Sequence, residues 1–339
     1  MATTTTAPRL TSIVAHPASA AGIHYRHARE SAARAVGFPA RKSLDLHFYG
    51  GRTIEHLIFT NVYLGGSAVW SPSDVERIDA SLAAAMTDPH LNNVIAQYSA
   101  DDKATSKFEP SRFLDGPVPH RVFRDTVETL VAGLAADGSL AGLDLNRTVV
   151  NLMLPRGTVL VDGTSTGRAR RSDDDDGDAV VVNPALAERD EAVDSKHGLG
   201  GYHGSIHPRH GATSETVCYA VGVYSEGSNG IAAFDEPWKS VCATFYHELC
   251  EARTDPDVED AIRAGNDPAA TRFLGWYSPH GGEIGDIPMA EAGGRLDLVM
   301  QEVPLADGSG TVPVQLMWSN AVAGPEGPIA HKHPAAKRG

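Results

Sequence analysis

Hydrophobic and polar positions recur along the chain with two different periods, which predict strands in some segments and helices in others. Residues 53–64 predict a strand or a pair of strands that ends at Gly65-Gly66. Later apolar runs predict further strands, most of them in the core of a sheet. The predicted strands cover 53–64, 148–154, 158–161, 216–225 and, close to the C-terminus, 312–318.

Apolar residues at helical spacing predict helices between these strands. A capping-box pattern at 73–76 predicts the start of one helix, and a second helical segment follows it. Residues 99–118 predict a loop, and residues 119–136 predict another helix. Strands and helices in this order favour an α/β (α+β) fold, in which helices pack against a mixed sheet.

One more helix is predicted, starting at Asp235-Glu236-Pro237 and ending at Asp255-Pro256. Pro237 follows two acidic residues, which is typical of a first helical turn, and Pro256 ends the helix because the residue before proline avoids helical geometry. Apolar residues occupy one face of this helix and polar residues occupy another. The apolar face contains Trp238, Val241, Phe245, Leu249 and Ala252, and the polar face contains Ser240, Thr244, His247 and Glu251.

The chain divides into a central domain and two flexible ends. Residues 1–43 lack a clear period and predict a flexible N-terminal arm, and residues 326–339 predict a flexible tail. Residues 44–325 predict a single α/β domain. Within it, a basic run followed by four aspartates near 163–178 is typical of a solvated, mobile acidic loop.

Composition and charge exclude some classes of function. The 339 residues carry a formal net charge of -14, which argues against nucleic acid as a partner because phosphate binding needs a basic surface. No apolar run is long enough to span a membrane, and the N-terminus shows no secretory signal. The three cysteines predict reduced thiols. These features predict a cytoplasmic protein.

The first candidate catalytic and metal-binding residues lie on the predicted helix between Pro237 and Pro256. His247 and Glu251 are four residues apart, so both side chains lie on one face of a helix and can bind one metal ion together. Glu248 lies beside them. This is the arrangement of a zincin-like active-site helix, in which the intervening glutamate is the general base, although a glutamate replaces the usual second histidine. The alternative is an amphipathic helix with a solvated polar face.

Two further segments offer the remaining ligand of such a site. A glycine-rich segment at 197–211 contains four histidines, and a glycine-flanked loop at 275–286 contains two carboxylates. A two-ligand helix needs a third ligand from a separate segment. The alternative is that these histidines and carboxylates merely face water. The candidates for completing the site are Glu283, Asp286, His203, His207, His210 and His280.

Three stretches in this order resemble a known family. Residues 201–204, residues 247–256 and residues 282–286, followed by residues 314–320, are similar to the Exordium/phosphate-induced protein family of plants and its bacterial relatives. The resemblance covers roughly residues 145–325. It implies a zincin-like helix with a downstream Glu-x-x-Asp, and it implies a site more firmly than a reaction.

The sequence predicts a metal-dependent hydrolase that cleaves a peptide, amide or ester bond through a metal-activated water. His247 and Glu251, with Glu283 or Asp286, would hold one divalent metal ion, with zinc expected and iron or manganese as alternatives. Glu248 would be the general base. His203 or His207 would polarise the developing oxyanion. The substrate would be a small molecule or a peptide. Two alternatives stay open: a non-haem iron or other metalloenzyme of small-molecule metabolism, and a non-catalytic metal-stabilised binding protein.

Overall fold

A computed structural model describes residues 38–165, 193–210, 213–264, 267, 269–293 and 295–338. Residues 1–37 of the predicted N-terminal arm and residues 166–178 of the predicted acidic loop lie outside these ranges. All secondary structure and contacts below refer to the described residues.

The α-helices are α1 (Pro72–Thr87), α2 (Pro89–Ile95), α3 (Arg124–Ala136), α4 (Pro237–Thr254), α5 (Val258–Ala264) and α6 (Asp286–Ala292). The strands are β1 (His47–Phe48), β2 (His56–Leu64), β3 (Thr105–Leu114), β4 (Arg121–Phe123), β5 (Thr148–Leu154), β6 (Val159–Asp162), β7 (Val193–Asp194), β8 (Gly201–Ile206), β9 (Arg209–His210), β10 (Thr213–Ser214), β11 (Val217–Val223), β12 (Trp276–Tyr277), β13 (Met300–Pro304), β14 (Thr311–Gln315), β15 (Met317–Ser319) and β16 (Gly324–Glu326). Short 3₁₀ helices cover Lys42–Leu44, Ala96–Tyr98, Leu145–Arg147, Ser195–His197, Ala270–Phe273 and Leu296–Leu298.

The central sheet has five strands in the order β3-β2-β5-β11-β8. The first four strands are parallel, and β8 pairs with β11 in the antiparallel direction, which places β8 at an edge. Other strands among the described residues form smaller sheets of two or three strands. The predicted α/β (α+β) class with a mixed sheet is therefore confirmed.

Helices cover both faces of this sheet because alternate residues of each strand point to opposite sides. On one face, Phe59 of β2 and Ala220 of β11 belong to a core with α1 and α4. On the other face, Leu152 of β5 and Val221 of β11 belong to a core that includes Val127 of α3. The sheet thus separates two apolar cores and gives α4 a position directly beneath β11 and β8.

Helix α4 begins at the proline and ends before Asp255 as the sequence predicts, but its burial differs from an amphipathic surface helix. Every residue from Ser240 to Thr254 is buried. Its polar face therefore cannot be solvated, and the alternative of a solvated helix face is wrong. Ionisable side chains on such a face need partners inside the protein.

The strand β3 lies in a segment for which the sequence predicts a loop, and this prediction is wrong. Residues Thr105–Leu114 form an edge strand parallel to β2, with a register shift near its middle. Pro110 lacks a backbone N–H and the side chains of β3 are only partly buried, so the usual apolar pattern is weak. Edge strands tolerate both features.

Two predicted helix starts also differ from the structure. Helix α1 begins at Pro72, with Ser71 as its N-cap, so the predicted capping box at 73–76 starts two residues too late to cap it. The segment predicted as helix 119–136 begins with the short strand β4, and α3 starts only at Arg124.

The final segment, for which the sequence predicts a flexible tail, contacts the domain at several points. The backbone N–H of Ile329 donates to the carbonyl of His90, and that of Ala336 donates to the carbonyl of Gln97. The Arg338 guanidinium lies 4.3 Å from the centre of the Phe48 ring. These contacts fix the path of the segment across α2 and β1.

Two further findings concern membrane-spanning helices and the cysteine thiols. Within the described ranges, no helix has the length and apolar character needed to cross a bilayer. The thiols of Cys218, Cys242 and Cys250 are buried and unbridged, and burial raises the pKa of each.

We predict opposite effects of alanine at two glycines. In β11, a Cβ at Gly222 would lie 2.9 Å from the buried Phe245 ring of α4, so Gly222→Ala should lower the free energy of unfolding by about 1–3 kcal/mol. In α3, a Cβ at Gly133 would have no atom within 4 Å, so Gly133→Ala should raise the free energy of unfolding by about 0.5–1 kcal/mol. Urea unfolding measures both changes, and equal effects would contradict the close packing of α4 on the sheet.

Candidate metal centre

Three separate segments bring ionisable side chains together at the polar face of α4. This helix contributes His247, Glu248 and Glu251, strand β8 contributes His203, and the loop before α6 contributes Glu283. All five residues are buried, and none is more than 4% exposed. The structure thus assembles most of the residues that the sequence singles out.

The carboxylate of Glu251 lies at the middle of this cluster. Its Oε1 atom accepts hydrogen bonds from the backbone N–H groups of Gly285 at 3.2 Å and Asp286 at 3.1 Å. Its Oε2 atom lies 3.1 Å from Nε2 of His247 and 3.6 Å from Nδ1 of His203. One oxygen is therefore anchored to the backbone, and the other faces two imidazole rings.

The tautomer of His247 follows from its hydrogen bond to Gln315. The Gln315 amide nitrogen donates to the carbonyl of Gly285 at 2.6 Å, so its oxygen faces His247 Nδ1 at 2.9 Å and must accept from it. The proton of the neutral ring then sits on Nδ1. The lone pair of Nε2 points towards Glu251, which is the geometry of a metal-binding histidine held by a second hydrogen bond.

The tautomer of His203 follows in the same way. Its Nε2 atom lies 3.1 Å from the backbone carbonyl of Asp255, which can only accept, so Nε2 carries the proton. The lone pair on Nδ1 faces Glu248 Oε2 at 3.5 Å and Glu251 Oε2 at 3.6 Å. Both histidines therefore direct an unprotonated nitrogen at the same carboxylate oxygen.

Several polar atoms in the cluster have no hydrogen-bond partner among the described residues, although they are buried. Such atoms are rare in folded proteins and are costly unless an ion or a water satisfies them. They are Nδ1 of His203, Nε2 of His247, both side-chain oxygens of Glu248, Oε2 of Glu251 and Oε1 of Glu283.

Burial shifts the protonation equilibria of these groups towards their neutral forms. It lowers the pKa of His203 and of His247 to about 4, so both rings are neutral at pH 7. Burial also raises the pKa of Glu248, Glu251 and Glu283, and for Glu248 and Glu283 the nearby carboxylates raise it further. A bound cation would reverse the shift of the carboxyl groups.

The spacing of the donor atoms suits metal coordination. His247, Glu248 and Glu251 can each offer an atom that lies within 4.8 Å of the other two, and so can His203, Glu251 and Glu283. Neutral imidazole and carboxylate are common ligands of zinc, iron and manganese. The spacing and the chemistry of these atoms are therefore compatible with a divalent metal ion.

Two glycines allow the backbone to approach the cluster closely. A Cβ at Gly285 would collide with the His247 ring. A Cβ at Gly201 would lie 2.5 Å from the carbonyl of Val221 and 3.0 Å from Oε1 of Glu248. Glycine at these positions lets the 283–286 loop and β8 close over α4.

Other predicted site residues lie elsewhere or contribute less directly. The His207 ring contacts Asp260 at 2.6 Å and Thr216 at 3.0 Å, so it belongs to a different group of side chains. His280 is exposed, and the side chain of His210 lies outside the described residues. Asp286 is the first residue of α6, is buried, and favours the charged form of His247.

Gln315 belongs to the centre, but the sequence alone assigns no role to this residue. It lies in the apolar strand β14, where it is 1% exposed. A buried amide within an otherwise apolar strand is the signal that identifies it, because such a group must have hydrogen-bond partners.

We predict that Gln315→Met weakens metal binding about 10–100-fold, the typical effect of removing a residue that orients a ligand. The change leaves the His247 Nδ1–H without its acceptor, which frees the ring to rotate, and removes the hydrogen bond to the Gly285 carbonyl. Isothermal titration with zinc measures the affinity. Gln301→Met, at an exposed position of β13, is the matched control and should bind as the parent does. An unchanged affinity for Gln315→Met would contradict the tautomer assigned to His247.

Comparisons with protein-family models, with characterised proteins and with solved structures gave no match for this chain. The resemblance to the Exordium/phosphate-induced protein family therefore stays a prediction. The assignment of the centre depends on the geometry of its residues alone.

Proposed function

We propose that this protein is a metal-dependent hydrolase that cleaves a peptide, amide or ester bond, with His247 and Glu251 as the central metal ligands. The observation that carries the proposal is the convergence of buried, unpartnered imidazole and carboxylate atoms around Glu251 Oε2. Perturbed ionisable groups of this kind are typical of functional sites.

Charge supports a bound cation. Among the described residues, no lysine or arginine forms an ion pair with Glu248, Glu251 or Glu283, and both neighbouring histidines are neutral at pH 7. A buried carboxylate needs a positive partner or a proton. A divalent cation at Glu251 Oε2 would supply that charge and would satisfy the lone pair of His247.

Glu248 is the residue that fits the role of general base. It follows His247 directly in α4, both of its oxygens lack a hydrogen-bond partner among the described residues, and burial raises its pKa well above that of an ordinary glutamate. A carboxylate with a raised pKa accepts a proton more readily than an exposed one. The metal, when bound, would acidify a water molecule and polarise the scissile carbonyl.

The geometry changes the role predicted for His203. Its only proton lies on Nε2 and is donated to the Asp255 carbonyl, so it has no N–H to offer a developing oxyanion. The lone pair on Nδ1 makes it a metal ligand instead. His207 has no part in the proposed centre, since its ring is bound by Asp260 and Thr216.

Two specific observations favour the alternative functions. His203 and His247 both face one carboxylate oxygen of Glu251. A set of two histidines and one carboxylate resembles the facial triad of non-haem iron enzymes. Complete burial of the donors is typical of structural metal sites, which favours a metal-stabilised binding protein. The identity of the metal and the activity of a Glu248 variant distinguish these functions from a zinc hydrolase.

We predict that the purified protein contains near-stoichiometric divalent metal and that His247→Ala and Glu251→Ala abolish it, because each removes a central donor. Elemental analysis by plasma mass spectrometry measures the content. His207→Ala, which changes a histidine outside the centre, should keep the metal of the parent. A parent that stays metal-free after reconstitution, while all the proteins are folded, would refute the proposal.

We predict that Glu248→Gln keeps the metal but lowers the hydrolysis of peptide or ester substrates by about 10²–10⁴-fold, the usual contribution of a general base. Glutamine has the size of glutamate but cannot take up a proton from water. Steady-state rates at equal metal loading measure the effect. If Glu248→Gln and the parent hydrolyse the same substrate equally fast, Glu248 is not the base.

We predict that metal removal destabilises the fold, because repulsion among the buried carboxylates is then uncompensated. Metal present at about 100 times its dissociation constant should raise the free energy of unfolding by about 2.7 kcal/mol. Thermal unfolding before and after treatment with a chelator measures the shift. The Glu251→Ala variant is the control, and its melting temperature should not respond to metal.

A further inference from the structure

The donor atoms of the centre fall into two groups that share one carboxylate. Glu251 belongs to both: His247 and Glu248 complete one group, and His203 and Glu283 complete the other. We propose that the centre binds two divalent cations, one held by His247 and one held by His203 and Glu283, with the Glu251 carboxylate shared between them and Glu248 beside the first ion as the general base. This inference rests on the proposed function, because it adds a second ion to the same centre.

The second group contains its own unsatisfied donors. Glu283 Oε1 is buried, has no hydrogen-bond partner among the described residues and lies 3.5 Å from Nε2 of His203. His203 Nδ1 is also unpartnered and is oriented by the hydrogen bond from Nε2 to Asp255. These donors come from β8 and from the 283–286 loop, so they are independent of the His247–Glu248 pair on α4.

Charge balance favours two ions over one. Besides Asp286, four carboxyl groups are buried here and act on one another electrostatically: Glu248, Glu251, Asp255 and Glu283. When these four are ionised, one divalent cation offsets two of the four negative charges, whereas two cations offset all four. Uncompensated charge is costly inside a protein, so the cluster with two ions is the better balanced.

The donor set is also typical of two-metal centres. Such centres hold their ions about 3.5–4 Å apart and stabilise both the attacking and the leaving oxygen of a displacement. Di-iron and di-manganese carboxylate proteins combine two histidines with four glutamates, and this centre combines two histidines with a similar excess of carboxylates. Almost complete burial of the donors suits small ions better than an organic cation from a substrate.

The test is reconstitution of the metal-free full chain with Mn²⁺, followed by removal of excess metal and by elemental analysis and electron paramagnetic resonance. We expect two Mn²⁺ per chain in the parent, with the spectrum of an exchange-coupled pair. Glu283→Gln keeps the size of the side chain and should bind one ion, with the six-line spectrum of isolated Mn²⁺. His207→Ala should match the parent.

The outcomes separate the second ion from the first. One Mn²⁺ in both the parent and Glu283→Gln would overturn the second site and leave the proposed function standing. Two ions in Glu283→Gln would overturn the assignment of Glu283, and no ion in the parent would overturn both proposals. If circular dichroism shows that Glu283→Gln is unfolded, His203→Gln replaces it and should likewise bind one ion.

Discussion

The Glu251 carboxylate is buried in the interior of the domain, and the contacts of the surrounding segments are arranged around it. One of its oxygens is fixed by two backbone N–H groups, and the other faces the unprotonated nitrogens of His203 and His247. Without a cation, this arrangement combines buried negative charge with unsatisfied lone pairs, both of which oppose folding. With a divalent cation, the same atoms become ligands, and the cost of burying them is offset by coordination.

The hydrogen bonds around this carboxylate join segments that are distant in sequence. Gln315 connects β14 to the His247 ring and to the carbonyl of Gly285, and Gly285 in turn donates to Glu251. His203 connects the edge strand β8 to the C-terminal end of α4 through the Asp255 carbonyl. Metal binding at Glu251 would therefore tighten β8, β14 and the 283–286 loop against α4, which links the proposed chemistry to the stability of the fold.

The sequence predicts the α4 helix and most strands of the central sheet because both have a strong apolar period. It misses β3, where Pro110 and partly buried side chains remove that period. It also predicts that His247, Glu248, Glu251, Glu283 and His203 belong to one site, and the structure brings these residues together. The sequence could not show that His203 belongs to the centre and His207 does not, because the directions of their side chains depend on the pairing of β8 with β11. It also could not identify Gln315, because the role of Gln315 depends on its contact with His247, which is distant in sequence.

The most direct test of the account is a crystal structure of the metal-loaded protein with anomalous data collected at the absorption edge of the bound metal. A metal ion at the proposed centre would give an anomalous peak about 2.0–2.2 Å from Glu251 Oε2 and within coordination distance of His247 Nε2. Occupancy at this position would establish the buried cluster as a metal centre. A fully loaded crystal whose peak lies elsewhere, for example beside His207 and Asp260, would contradict the central claim.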